Sequence, residues 1–204
     1  MVQLNFNMQG LVFQDGVNTL RAGFETAVGA LRSAWTRAQQ DLEAYEAAVE
    51  ADPTNWIGET EDGHVLWDQS QMLEISIADA DEALLALRKA YVIAIYHHWE
   101  RAARRWTQLT GRADHKVLSA GTLAGGYPVS PRLEAVLHLV NTLKHDSAAK
   151  GERLLTAWAD VFPDGFAPRA RTSWYDAIQL TDAQVLEVCE IVANSGPTVE
   201  MVRV

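Results

Sequence analysis

The chain has 204 residues, 48% of them hydrophobic, and a formal net charge of −10. That length fits one domain of ordinary size, and the apolar content, with seven tryptophans and only six prolines, excludes extended disorder. The acidic balance counts against broad, non-specific nucleic-acid binding, which needs a basic footprint, but it leaves room for a small local basic site such as RAARR at 101–105.

The first fifteen residues show no clear helical period. QLNFNM alternates, which suits a short strand or an extended N-terminal arm. MVQLNFNMQG lacks a basic region followed by an apolar run, so no signal peptide is expected. The longest apolar run, YVIAIY at 91–96, is far too short to span a bilayer. A soluble cytoplasmic protein without membrane association is expected.

From about Val17 to Val49 apolar residues recur in steps of four and three: Phe24, Val28, Leu31, Trp35, Ala38, Leu42, Tyr45 and Val49. This is a heptad seam, and a helix of about 34 residues would run roughly 50 Å. A stripe that narrow needs a second helix to cover it. Asp52-Pro53 ends the segment, because the residue before proline avoids helical geometry. Residues 52–66 hold Pro, Asn, two Gly and several acids and read as a connecting loop, with Trp56 folding back on the helices.

A second long helix is expected from about Asp68 to Thr110, stopped by Gly111. Its seam is clear from Leu84 through Tyr91, Ile95, Trp99, Ala102 and Trp106. Two long helices joined by a loop make an antiparallel hairpin. The opposite side of this helix carries His97, Arg101 and Arg104, with Glu100 spaced to pair with Arg104.

Residues 111–130 read as a second connecting loop. Its GTLAGG lacks the Lys-Ser/Thr ending of a phosphate-cradling loop and the strands that would flank a dinucleotide site. Ser130-Pro131 then opens a helix whose apolar face is Leu133, Val136, Val140 and Leu143. Glu134, His138, Asn141 and His145 project within roughly 60° of one another on its other face. A short helix follows Gly151, residues 163–180 are irregular, and Thr181-Asp-Ala-Gln184 signals a capping box for the last helix. Val185, Val188, Cys189 and Val192 form its stripe. Cys189 is the only cysteine, so no intrachain disulfide forms, and its surroundings suit a buried structural thiol. The fold class is therefore all-α: a single domain, 1–204, with two long antiparallel helices and three shorter C-terminal ones.

Reactive groups concentrate in NTLKH, with Asn141, Lys144 and His145, and one or two turns before it in His138 and Glu134. Imidazole can move protons at neutral pH and lysine can neutralise a phosphate, the two capabilities that phosphodiester cleavage needs. A polar helical face is also the ordinary form of a solvated one. His138 and His145 stand about 10 Å apart along the axis, too far for one metal ion to bridge, and no HExxH occurs. Neither a metal nor a cofactor is expected, and no GxSxG elbow supports serine chemistry. Tyr91, Tyr96, Trp99 and Trp106 interleave with arginines as in base-stacking surfaces, although the seam accounts for these rings equally well.

VNTLKHDSAAKGERLLTAWADVFP, with IYHHWERAARRW upstream, resembles HEPN-like bacterial proteins of an Asn-x-x-Lys-His branch. The resemblance implies a helical bundle that dimerises, and a metal-independent endoribonuclease of a toxin–antitoxin or phage-defence system. RNA would be the substrate, and an antitoxin or other protein the partner. It assigns His145 as the motif histidine, Asn141 as the polar residue of the motif and Lys144 as the branch lysine. His97 and Glu100 would complete the catalytic set, and Arg101, Arg104 and His138 would bind substrate. The motif arginine is replaced by Val140; Arg132 and His138 satisfy the loose spacing, but Arg132 projects toward the apolar side. Two readings stay open: such a ribonuclease, or a non-catalytic helical dimer acting as a regulatory or partner-binding module. In the second, Asn141 and His145 would form a buried hydrogen-bond network.

Overall fold

The computed structural model describes residues 6–109, 111 and 113–200. They form seven α-helices and one two-stranded sheet, in the order α1 (Met8–Ala51), β1 (Gly58–Glu61), β2 (His64–Asp68), α2 (Gln69–Thr107), α3 (His115–Ala124), α4 (Leu133–His145), α5 (Ala148–Ala157), α6 (Trp174–Ala177) and α7 (Asp182–Ala193). The fold is all-α, with the long α1 and α2 packed together. Among the described residues no helix is long and apolar enough to cross a membrane.

The chain divides into two compact units. One runs to Phe24 and resumes at Arg88; the other is Glu25–Leu87. In the second unit α1 and α2 pair antiparallel: Leu31 and Leu84 line one recess, and Trp35 Nε1 donates to Asp81 at 3.3 Å. The heptad seam holds: Leu31, Trp35, Ala38, Leu42, Tyr45 and Val49 are each half-buried, with more exposed neighbours on the outer faces. On α2 the matching stripe is Leu73, Ile77, Ala80 and Leu84, also half-buried. Two helices alone cover a seam on one side only, which is why none of these side chains is fully buried.

Residues 52–66, expected as a loop, contain a 3-10 turn capped by Asp52 and the β1–β2 hairpin. Asp62 and Gly63 take left-handed backbone at its tip, which Asp and Gly tolerate best. Tyr45 Oη bonds both the N–H and the carbonyl of Ile57, tying the hairpin's base to α1. Trp56 is partly exposed, and its ring lies over Gly58.

The first unit holds the core. Phe13, Val17 and Phe24 of α1 are almost completely buried, as are Ile95, Tyr96 and Trp99 of α2. Helix α1 therefore starts at Met8, not near Val17: residues 8–15 are helical, because Phe13 stacks on His98 and meets Trp106 edge-on. Of the proposed N-terminal arm, residues 1–5 lie outside the described residues.

Helix α3 replaces half of the connecting loop expected at 111–130. Asp114 caps it by accepting from the Val117 N–H, and Leu118 and Thr122 point into the core. The glycines of GTLAGG serve packing and termination. A Cβ at Gly121 would press on the Thr107 side chain, while Gly126 takes φ +80 beyond the helix end.

Helix α4 begins at Leu133, two residues later than expected, since Ser130–Arg132 form a turn and Ser130 is not its cap. It ends as expected at His145, where Asp146 adopts left-handed backbone. Helix α5 starts at Ala148 and includes Gly151, because the Trp174 ring sits against that backbone where any Cβ would collide. The capping box of α7 is present in both directions, and Val185, Val188, Cys189 and Val192 are fully buried.

Candidate functional site

Two sets of bonds fix how α2 passes α4 within the first unit. Lys89 Nζ donates to the Tyr175 carbonyl at 2.7 Å, and the Tyr175 N–H donates to Asp146 at 2.9 Å, so the C-terminal end of α4 lies level with Lys89. At the other end, the charges of Glu100 and Glu134 both act on His115. The helices run antiparallel, and Glu100, with His97 bonded to it, lies toward the first half of α4, where Glu134 and His138 stand.

The polar groups gather there. His97 Nδ1 and Glu100 Oε2 are 2.6 Å apart, one helical turn from each other and both partly exposed. Tyr96 Oη lies 2.9 Å from His115 Nδ1, and the His115 Nε2 lies 3.4 Å from Ser119 Oγ. Burial, helped by the charge of Glu100, pushes the Tyr96 phenol well above its usual range. Tyr96 therefore stays protonated, and its hydroxyl bonds one nitrogen of the His115 ring while the other lies toward Ser119.

Burial is the main cause that lowers His115 below the usual imidazole value. Glu134, Glu100 and Asp114 oppose it, and His138 adds to it. His138 is lowered in the same way: burial leads, Glu134 opposes, and Arg153 and Lys150 of α5 push it further down. Two imidazoles thus stand among three carboxylates, with two cations beside one of them.

Two surface concavities meet at Glu134. One, of about 550 Å3, lies between α4 and α5 and is lined by Glu134, His138, Glu152, Arg153 and Thr156. The other, of about 360 Å3, lies between α3 and the start of α4 and is lined by His115, Lys116, Ser119, Pro131 and Glu134. This is an open surface with an acid–base group on either side of one carboxylate.

The site residues expected from sequence divide. His97, Glu100 and His138 belong to this cluster, and Glu134 joins them. Asn141 is half-buried one turn further along α4. Lys144 and His145 are exposed in its last turn, where positive groups suit the helix C-terminus. A buried network through His145 is therefore not formed.

Arg104 donates to the carbonyls of Gly111 and Ala113 and so holds the connection between α2 and α3. Arg101 is exposed, and its charge falls on His98, which stacks on Phe13 and bonds the Phe13 carbonyl at 3.0 Å. Arg132 pairs with Glu187 and lies over the Trp158 ring, 4.5 Å from its centroid, turned away from His138 as its helical position implies.

Sequence reasoning missed His115, Ser119, Lys150 and Arg153. Three of the four were hidden by element boundaries. His115 and Ser119 fell in a presumed loop, although Asp114 ahead of the apolar Val117 and Leu118 marks a helix start. Lys150 fell before a helix thought to begin after Gly151. Among the described residues no group of three or more His, Cys, Asp or Glu is placed to hold a metal ion. Comparison of the chain with protein-family models, with curated proteins and with solved structures finds no match in any of the three.

Proposed function

We propose that the protein is a metal-independent endoribonuclease whose working groups are the histidine–carboxylate cluster on α2, α3 and α4, in place of the His145 that the resemblance to HEPN-like proteins implies. The observation that carries this reading is His138: an imidazole on an open concavity, lowered by burial, with the charges of Glu134, Arg153 and Lys150 acting on it. A neutral imidazole can accept the proton of a ribose 2′-hydroxyl. The 2′-oxygen then bonds to phosphorus and the bond from phosphorus to the 5′-oxygen breaks. Lys150 and Arg153 balance the charge on the phosphoryl oxygens. In this reading His97, hydrogen-bonded to Glu100, returns a proton to the leaving oxygen. The products are a 2′,3′-cyclic phosphate and a 5′-hydroxyl end.

Charge placement supports the same reading. Glu25–Leu87 holds 14 of the 27 acids and only two of the 17 basic residues, a formal −12, so the unit bearing the site is left at +2. The acidity that argues against RNA in the whole chain is not on the site's own unit.

The test is incubation of purified protein with mixed-sequence RNA, with end-group analysis of the fragments, beside His138→Ala and His145→Ala. Loss with His138→Ala and cyclic phosphate ends support the cluster. Loss with His145→Ala alone returns the chemistry to NTLKH. Intact RNA throughout favours the second reading, a non-catalytic helical module that binds a partner. That reading has one specific support: the bonds His97–Glu100 and Tyr96–His115 already satisfy much of the cluster within the chain.

A further inference from the structure

The Glu25–Leu87 unit presents an apolar surface as well as its acids. Ile57, Val65, Leu66, Trp67, Met72 and Ile75 are between 39% and 54% exposed. They come from the hairpin and the first turns of α2, a stretch of 19 residues. The hairpin has no residue fully buried on either strand: its burial runs from half-buried at Gly58 and Asp68 to exposed everywhere else. Isolated two-stranded hairpins of this length are marginal in water, and exposed apolar groups in such number mark interaction surfaces. The charged side chains around them are acidic: Glu50, Asp52, Glu59, Glu61, Asp62 and Glu74 lie in or beside the stretch, while the lysines and arginines of the unit, Arg32 and Arg37, lie on α1.

We propose that this end of the unit, the β1–β2 hairpin with Met72 and Ile75 of α2, docks a basic amphipathic segment of another protein. Charge decides the occupant. A second copy would bring the same excess of carboxylates against itself, and like charges facing each other in an interface are unfavourable. Nucleic acid and anionic lipid are repelled for the same reason. A segment with an apolar stripe flanked by lysines or arginines complements both features, the stripe covering Leu66, Trp67 and Ile75 and the cations meeting the carboxylates. This inference does not depend on the ribonuclease reading, which concerns the other unit.

The probe is a fluorescein-labelled Leu/Lys peptide patterned as an amphipathic helix. It is titrated with the full chain and followed by anisotropy, beside a peptide of the same composition with the pattern scrambled. One patterned peptide should bind per chain, at least tenfold more tightly than the scrambled one, and more weakly as salt rises. Leu66→Asp and Ile75→Asp should each weaken binding about tenfold or more, a loss of about 1.4 kcal/mol. His138→Ala should leave it unchanged. Circular dichroism on each variant checks folding, and Glu61→Gln/Asp62→Asn at the exposed tip provides a second pair that leaves the apolar groups intact and should weaken binding at low salt. Equal affinity for both peptides, or indifference to all of these substitutions, overturns the proposal. So does sedimentation showing a dimer of the wild-type chain that Ile75→Asp converts to monomer, because the occupant would then be a second copy.

Discussion

Tyr96 Oη and His115 Nδ1 are 2.9 Å apart, joining the middle of α2 to the first residue of α3. Tyr96 is 1% exposed, so its hydroxyl has no water to fall back on. Tyr96→Phe removes the donor and leaves the imidazole nitrogen facing a hydrocarbon edge. The expected cost is about 1–3 kcal/mol, the penalty of an unpaired buried polar group, measured as a lower midpoint in urea at unchanged slope.

Stability should fall on acidification. His98, His115 and His138 are all lowered in the folded chain, burial being the first cause for each. Between the folded and unfolded pKa values the unfolded chain binds more protons, so stability rises with pH there. The contribution is fully present above the unfolded value of 6.5 and is lost as pH falls from there through the folded values. Thermal melts at half-unit steps between pH 7.5 and 5 should show a steady decline. His115→Gln should make that decline shallower; an identical slope in this variant would remove His115 as a contributor.

In RNA cleavage, His138→Ala should lower the rate about 100-fold to 10,000-fold, the ordinary contribution of a positioned proton acceptor. Arg153→Ala should lower it less, since Lys150 remains. His145→Ala and Arg132→Ala should change it by no more than about threefold, within the scatter of surface substitutions whose effects stay near 0.5 kcal/mol. Rates of cleavage of a labelled RNA under single-turnover conditions give all four values.

Two glycine substitutions should act in opposite directions. Gly151→Ala in α5 drives a methyl into the Trp174 ring and should destabilise by about 1–3 kcal/mol, as overpacking does. Gly29→Ala in α1 meets nothing within 4 Å and should stabilise by about 0.5–1 kcal/mol, because alanine loses less backbone freedom in a helix. Denaturant unfolding of the two variants reads both signs.

The sequence by itself determined what depends on neighbours along the chain. The heptad steps from Phe24 to Val49, the capping box at Thr181 and the buried stripe around Cys189 follow from helical period and local hydrogen bonding, and each appears where those rules put it. The face shared by Glu134, His138, Asn141 and His145 is of the same kind. Local rules fail where glycines obscure the pattern, as in α3, or where a short hairpin depends on a bond such as Tyr45 to Ile57.

Which half of α4 lies toward Glu100 is settled by packing between segments distant in the chain. A helix with reactive groups two turns apart can be approached at either end, and nothing within 133–145 chooses between them. The choice lies in distant bonds, Lys89 to Tyr175 and Tyr175 to Asp146, which set the register of α2 against α4. The same is true of charge: its total is read from composition, but the net −12 of Glu25–Leu87 acquires meaning only because that segment forms a compact unit of its own. Proximity between residues far apart in the chain is a property of packing, and packing is settled by the whole core at once.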